Sequence, residues 1–123
     1  ILDDTLEDAL IRARAYVNAG VDGVMIHSKN KSGEDIKSFC LEFRKINNTT
    51  PIILVPSSYN HLKEDEFIKW GANVVIYANH LLRASFPAMK NVAKSILVNK
   101  RSKEASEMCM SIKEILELIP GTK

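Results

Sequence analysis

Aromatic residues are scarce in this sequence, at 7% with a single Trp, so its core is expected to rest on aliphatic side chains. Glycine and proline are also few, at five and four positions, against 46% hydrophobic and 26% charged residues. That balance excludes disordered, collagen-like and low-complexity classes. Cysteine is limited to Cys40 and Cys109, with no CxxC or Cys-His spacing. A secreted disulfide scaffold would carry more, so a cytoplasmic location is expected. Charge of one sign is missing too: seventeen Lys and Arg oppose fifteen Asp and Glu, a net +2. Neither nucleic acid nor a membrane surface is indicated as a partner. No apolar run reaches the ~18 residues that span a bilayer. The stretch 1–10 lacks Met, is acidic, and carries neither a signal nor a transit pattern; it reads as a chain entered partway. There is no P-loop and no GxGxxG, since Gly20 and Gly23 stand alone as a helix end and a strand start.

What is present is an alternation of two periods. Leu6, Ala9, Leu10, Ala13, Tyr16 and Val17 recur at helical spacing, with Asp3, Asp4 or Thr5 as caps and Gly20 as terminator. The continuous apolar run Val24-Met25-Ile26 reads as a strand buried on both faces. Ser32 or Gly33 opens a second helix with Ile36, Phe39, Cys40 and Phe43 on its apolar face. Pro51 introduces a strand, Ile52-Ile53-Leu54-Val55; a third helix runs from about Leu62 to Trp70, and a third strand is Val74-Val75-Ile76-Tyr77. A long helix follows over about 81–99, in which Pro87 is tolerable only near the first turn. Residues 100–107 read as a loop or a continuing helix, and a short amphipathic helix, 111–118, precedes Pro120-Gly121.

Strands that alternate with helices in this way are parallel, joined by right-handed crossovers. Three such strands leave edges unprotected, and the chain has no room for the five of a flavodoxin-like sheet. The expected fold is therefore α/β, a single partial domain over residues 1–123 that forms part of a (β/α)8 TIM barrel. A whole barrel needs ~250 residues.

Ligands of parallel α/β folds sit at the carboxyl ends of the strands. The first strand ends in His27-Ser28-Lys29, the second in Ser57-Ser58-Tyr59-Asn60, and the third in Asn79-His80 with Arg83 one turn on. These are anion-binding groups, with no carboxylate among them. Each has a plain reading beside the functional one. His27 is a substrate contact or a histidine bonded to a neighbouring loop, and Ser57 and Ser58 are donors or a simple turn. His80 beside Asn79 caps the next helix, His61 is solvated, and Lys29-Asn30-Lys31 is a solvated loop. Arg83 is an anion contact or the partner of Glu64 or Asp65. No His pair has i,i+4 spacing or an adjacent acid, so a metal site on these histidines is not expected.

Three strings resemble the phosphoenolpyruvate mutase family of the isocitrate lyase superfamily: Arg14 to Lys29 (RAYVNAGVDGVMIHSK), Ile53 to Tyr59 (ILVPSSY) and Val74 to Ala84 (VVIYANHLLRA). The tail Ser111-Ile112-Lys113-Glu114-Ile115 fits as well, so the resemblance covers nearly the whole chain in order. It implies the C-terminal half of a TIM barrel, strands six to eight. It also implies an enzyme interconverting phosphoenolpyruvate and phosphonopyruvate, the carbon–phosphorus bond-forming step of phosphonate biosynthesis. Phosphonopyruvate hydrolase, which cleaves the same bond with water, is the alternative; a non-catalytic half-barrel assembly module is another.

By the same resemblance His27 is the catalytic residue, contacting the phosphoryl group in transit; in the lyase branches a carboxylate usually stands there. Ser57, Ser58, Asn79 and Arg83 are the substrate-binding positions. The family's catalytic aspartate, its acidic Mg2+ cluster, its phosphoryl-binding arginine and its gating loop are expected on strands one to five and have no counterpart in this chain. Residues 81–118 are expected to be exchanged between subunits, making the whole protein a homo-oligomer. The apolar stripe Ile112, Ile115, Leu116 and Ile119 after a charged connector agrees, since a helix of ~8 residues needs a surface to dock on.

Overall fold

A computed structural model describes residues 5–119 and 121. Asp3 and Asp4, named as alternative caps, and Pro120 lie outside the described residues. The chain divides into two compact units, residues 1–78 and 79–123.

The first unit is a three-stranded sheet with helices. Helix α1 (Leu6–Asn18) starts where Thr5 and Asp8 form a reciprocal capping box, the Thr5 Oγ1 accepting the Asp8 N–H at 3.2 Å. It leads to β1 (Val24–Ile26), α2 (Glu34–Ile46), β2 (Ile52–Leu54), α3 (Glu64–Lys69) and β3 (Val74–Val75). The strands lie in the order β1-β2-β3, all parallel, pairing Met25 with Ile53 and Ile53 with Val74. The third strand is shorter than the four residues expected, although the Ile76 N–H still donates to the Leu54 carbonyl at 2.9 Å.

Two expectations about burial need correction. Strand β1 is not covered on both faces. Val24 and Ile26 are buried against the helices, whereas Met25 is 57% exposed and Val74, on the same face, is 43% exposed. A sheet with crossover helices on one side covers only alternate residues. Nor is the core aliphatic. Phe39, Phe43, Tyr59, Phe67 and Trp70 all belong to it, together with Ile36, Ile52 and Leu54. The few aromatic residues are concentrated between α2, α3 and the sheet. Phe39 stacks on Phe43 at 5.6 Å, while Phe67 meets Tyr59 and Trp70 edge-on at 5.9 and 5.4 Å. Each such pair adds about 0.5–1.5 kcal/mol beyond its buried area. Helix α1 approaches closely because its buried residues are Ala9 and Ala13.

Arg44 fastens the end of the sheet where the strands begin. Its Nη1 donates to the carbonyls of Asn47 and Thr50 at 3.0 and 2.9 Å. Nε and Nη2 donate to the Gly71 carbonyl at 3.0 and 2.8 Å, and Nη2 also reaches Asn73 Oδ1 at 2.6 Å. All five guanidinium N–H groups are thus used, on the segments that enter β2 and β3. Gly71 has φ +88°, and a Cβ there would lie 2.9 Å from Arg44 Cγ and Nε.

The second unit consists of α4 (His80–Asn99), a 3-10 helix (Lys103–Met108) and α5 (Ile112–Glu117). The segment 100–107, left open between loop and helix, is resolved by Lys100. Its left-handed φ of 53° ends α4, and the 3-10 helix packs back on α4, burying Ala105. Pro87 lies in the interior of α4, beyond the first turn where it was expected to be tolerable. It deprives the Arg83 carbonyl of its i+4 donor, a cost the remaining turns of a 20-residue helix absorb. Helix α5 opens on a second capping box, Ser111 with Glu114. Among the described residues no helix is long and apolar enough to cross a membrane.

Candidate active site

In a parallel sheet every strand points the same way, so the residues after β1 and β2 gather at one end. His27 follows β1 directly and is half-buried. Its Nδ1 is shielded from solvent and has no hydrogen-bond partner. A shielded ring nitrogen without a partner is costly and uncommon, which marks the position as more than a packed core histidine. The reading of His27 as a residue bonded to a neighbouring loop therefore loses its support at Nδ1.

Ser28 is 2% exposed. Its hydroxyl donates to Asp35 Oδ2 in a short bond and accepts the Asn30 N–H at 3.0 Å. Asn30 Oδ1 in turn accepts the Ser32 N–H at 3.0 Å, and Ser32 Oγ accepts the Glu34 N–H at 3.3 Å. Lys29, Asn30 and Lys31 are exposed, as expected of a solvated loop, and Asn30 also belongs to a chain of side-chain turns leading into α2. These turns use the local bonding that Ser, Asn and Asp favour outside helices. Gly33 ends the loop with φ +76°, and a Cβ there would lie 2.6 Å from Leu62 Cδ1 and 3.4 Å from Tyr59 Cβ. The β1–α2 loop therefore rests directly on the β2–α3 loop.

On the second loop, Ser57 is exposed and Ser58 half-buried. The Ser57 N–H donates to the Val55 carbonyl at 2.8 Å, a tight reversal that turns the chain immediately after β2. Tyr59 is fully buried beneath. Burial, with Cys40 and Asp35 nearby, pushes its phenol up to about 12, and its hydroxyl is shielded without a hydrogen-bond partner. At the third strand end the Tyr77 hydroxyl donates to Glu64 Oε1 at 2.7 Å, which raises the Tyr77 pKa.

The expectation that no carboxylate serves these strand ends is overturned. Asp35 and Glu64 both reach them, from the first turns of α2 and α3. Strand-end strings could not reveal this, because Asp35 is supplied by the helix after β1 and Glu64 by the helix that precedes β3. The signal that was available is an acid in the first turn of a helix preceded by a polar loop. Glu64 is held by the Tyr77 hydroxyl.

Asn79, His80 and Arg83 belong to the second unit. Asn79 occupies the cap position of α4 but makes no side-chain capping bond, and His80 stands one residue on, as the first residue of the helix. The Asn79 carbonyl accepts the Arg83 N–H at 2.9 Å, and the Arg83 side chain is exposed. His61 is exposed in the turn before α3, as expected. The structure therefore gathers His27, Ser57 and Ser58 at one end of the sheet and adds Ser28 and Asp35 to them. Asn79 and Arg83 stand at the start of α4.

Among the described residues no three His, Cys, Asp or Glu side chains form a set able to hold a metal ion. Asp35 and Glu64 each already accept a hydroxyl over different strands, so the residues present do not fit a magnesium site of their own.

Parallel strands joined through helices, with polar groups collected where the strands end, define a parallel α/β chain. The family profile described as "Phosphoenolpyruvate phosphomutase" matches residues 1–97, and the chain belongs to that family. It is 39% identical over 113 residues to a phosphoenolpyruvate phosphomutase of Tetrahymena pyriformis, covering 92% of this chain and 37% of the relative. A phosphonopyruvate hydrolase of Variovorax sp. is 33% identical, with 91% and 38% covered. Among solved structures, a phosphoenolpyruvate phosphomutase from Streptomyces platensis subsp. rosaceus superposes with a TM-score of 0.82 at 30% identity, over 94% of this chain and 39% of that one. A phosphonopyruvate hydrolase in complex with oxalate and Mg++ gives 0.77 at 32% identity, over 93% and 40%. The chain spans little more than a third of the length of the curated relatives it matches.

Proposed function

We propose that this chain supplies strands six to eight of a TIM barrel that interconverts phosphoenolpyruvate and phosphonopyruvate. The single observation that carries the reading is the family match over residues 1–97, which includes both strand-end loops. The geometry adds a chemical reason. A phosphoryl group moving between carbon and oxygen carries its charge on peripheral oxygens, and preorganised donors aimed at them are the main means of catalysis. His27 is the catalytic donor to that group, while Ser57, Ser58, Asn79 and Arg83 bind the remainder of the substrate. The Mg2+ of the whole enzyme is held by acidic residues on its earlier strands; among the described residues of this chain no acidic set forms such a site.

The whole protein is a cytoplasmic homo-oligomer in which residues 81–118 dock on a neighbouring subunit. Supporting this, Leu81, Leu82, Phe86, Ile112, Ile115 and Leu116 are all at least half exposed within this chain.

The test is phosphorus NMR on the full-length protein supplied with phosphonopyruvate and Mg2+. Growth of the phosphoenolpyruvate resonance, with no inorganic phosphate, is the expected result. Release of inorganic phosphate with pyruvate would convert the assignment to the hydrolase, the reaction named for a relative 33% identical to this chain. No change in either direction overturns the enzymatic reading.

A further inference from the structure

The Ser28–Asp35 pair lies beside His27 and is explained neither by the core nor by the substrate-binding set. Ser28 is the next residue after His27 and is almost wholly buried, yet it is polar and spends both of its hydrogen-bonding roles. Its hydroxyl proton goes to Asp35 Oδ2, and its lone pair takes the Asn30 N–H at 3.0 Å. Asp35 Oδ1 accepts the Ile36 N–H at 2.9 Å, which fixes the carboxylate against the first turn of α2. That helix is in turn anchored by four fully buried residues, Ile36, Phe39, Cys40 and Phe43. A continuous path of directed bonds therefore runs from the rigid face of α2 to the peptide adjoining His27. The imidazole itself has no such tether, since its Nδ1 is shielded and unpartnered. With no hydrogen bond holding Nδ1, the position of the His27 backbone bears directly on where the ring lies.

We propose that Ser28 and Asp35 are positioning residues for His27, holding its backbone on α2 so that the imidazole meets the substrate in one orientation. The proposal rests on the assignment of His27 to the reaction. Ser28 and Asp35 touch no reacting atom. The pair confers accuracy of placement, and a displacement of about 1 Å at a catalytic group can cost ~100-fold in rate.

The experiment uses the full-length protein, selectively labelled with 15N-histidine, as wild type and as Ser28→Ala, Asp35→Asn and Ser28→Thr. Long-range 1H–15N correlation reads the tautomer and environment of the His27 ring, assigned by its loss in His27→Gln. In Ser28→Ala and Asp35→Asn we expect the His27 ring signals to shift or broaden, while those of His61 stay in place. Turnover of phosphonopyruvate should fall roughly 10- to 100-fold in kcat with KM within about twofold. Ser28→Thr, which keeps the hydroxyl, should restore both readouts. Should Ser28→Ala fail to fold, Asp35→Asn, which keeps the side-chain shape, carries the test. Unchanged His27 signals in a folded Asp35→Asn protein overturn the positioning role. A wild-type protein inactive on phosphonopyruvate would defeat the assigned reaction, and the ring spectrum would still decide whether the pair orients His27.

Discussion

Arg44 provides a stringent test of how the fold is held. Its five N–H groups are spent on the carbonyls of Asn47, Thr50 and Gly71 and on the Asn73 amide oxygen. Hydrogen bonds to a charged group contribute about 1.5–3 kcal/mol each. Summed naively over five, they would exceed about 7 kcal/mol, which approaches the ~5–15 kcal/mol that a whole domain possesses. The sum overcounts. Two of the bonds converge on one oxygen of Gly71, and a half-buried guanidinium leaves room for water to replace part of the set. For Arg44→Met, which keeps the apolar stem, we expect a loss of about 2–4 kcal/mol, or roughly 3–6 °C in Tm at the length of the relatives. Arg44→Lys should recover little, because a single ammonium cannot reach carbonyls that diverge around a planar fork. Gly71→Ala places a methyl 2.9 Å from Arg44 Cγ and Nε at a φ of +88°, so its cost should be smaller in an Arg44→Ala background, which removes both atoms and leaves only the backbone strain. Urea and thermal unfolding of the full-length variants measure all three, with kcat per folded molecule as the control. A loss under about 1 kcal/mol in Arg44→Met, or additive costs in the double variant, would refute the account of this cluster.

His27→Ala in the full-length enzyme should lower kcat ~100- to 1000-fold with folding intact, as expected for loss of one preorganised donor; near-normal turnover would make His27 structural. The Cys40 thiol, pushed up to about 12 by burial against the opposing pull of Arg44, should resist alkylation at pH 8 in the native protein while exposed Cys109 reacts, as peptide mass mapping would reveal. Because Cys40 holds its proton to higher pH when folded than when unfolded, stability should decline as pH rises from about 9 towards 12, and Cys40→Ala should flatten that decline in unfolding curves. The 123-residue chain by itself should show no conversion of phosphonopyruvate by phosphorus NMR, since it spans little more than a third of its relatives and its described residues form no metal site, and measurable turnover would contradict that.

The parallel strands and the helices between them could be read from the sequence because each depends on local signals. Val24-Met25-Ile26 and Ile52-Ile53-Leu54 are uninterrupted apolar runs, and Ile36, Phe39, Cys40 and Phe43 keep one helical face. His27 was legible for a similar reason, since a histidine directly after a strand can only stand at its carboxyl end. What escaped was non-local. The Ser28–Asp35 bond joins residues seven apart across a loop whose turns depend on Asn30 and Ser32. The aromatic core escaped because composition counts Phe39, Phe67 and Trp70 without revealing that they converge. Pro87 was misplaced because a single-residue propensity was weighed without the long helix around it. The exposure of Met25 escaped because an apolar run records what a strand can bury and not what covers it.

The two ends of the sheet divide the labour between holding the fold and meeting a ligand, and the division follows from how their polar groups are satisfied. At the amino ends, Arg44 has no N–H to spare, so the end with the strongest donor in the unit is chemically closed. At the carboxyl ends the polar groups are held but not exhausted. Asp35 fixes Ser28, and the loop after β1 rests on Tyr59 and Leu62 through Gly33, while the His27 Nδ1 remains unpartnered and Ser57 exposed. A group already bonded within the protein must break that bond to bind, whereas a group merely positioned loses little when a ligand arrives. The proposed function assigns the chemistry to the end where positioning exceeds satisfaction, and substitutions there should change rate before stability.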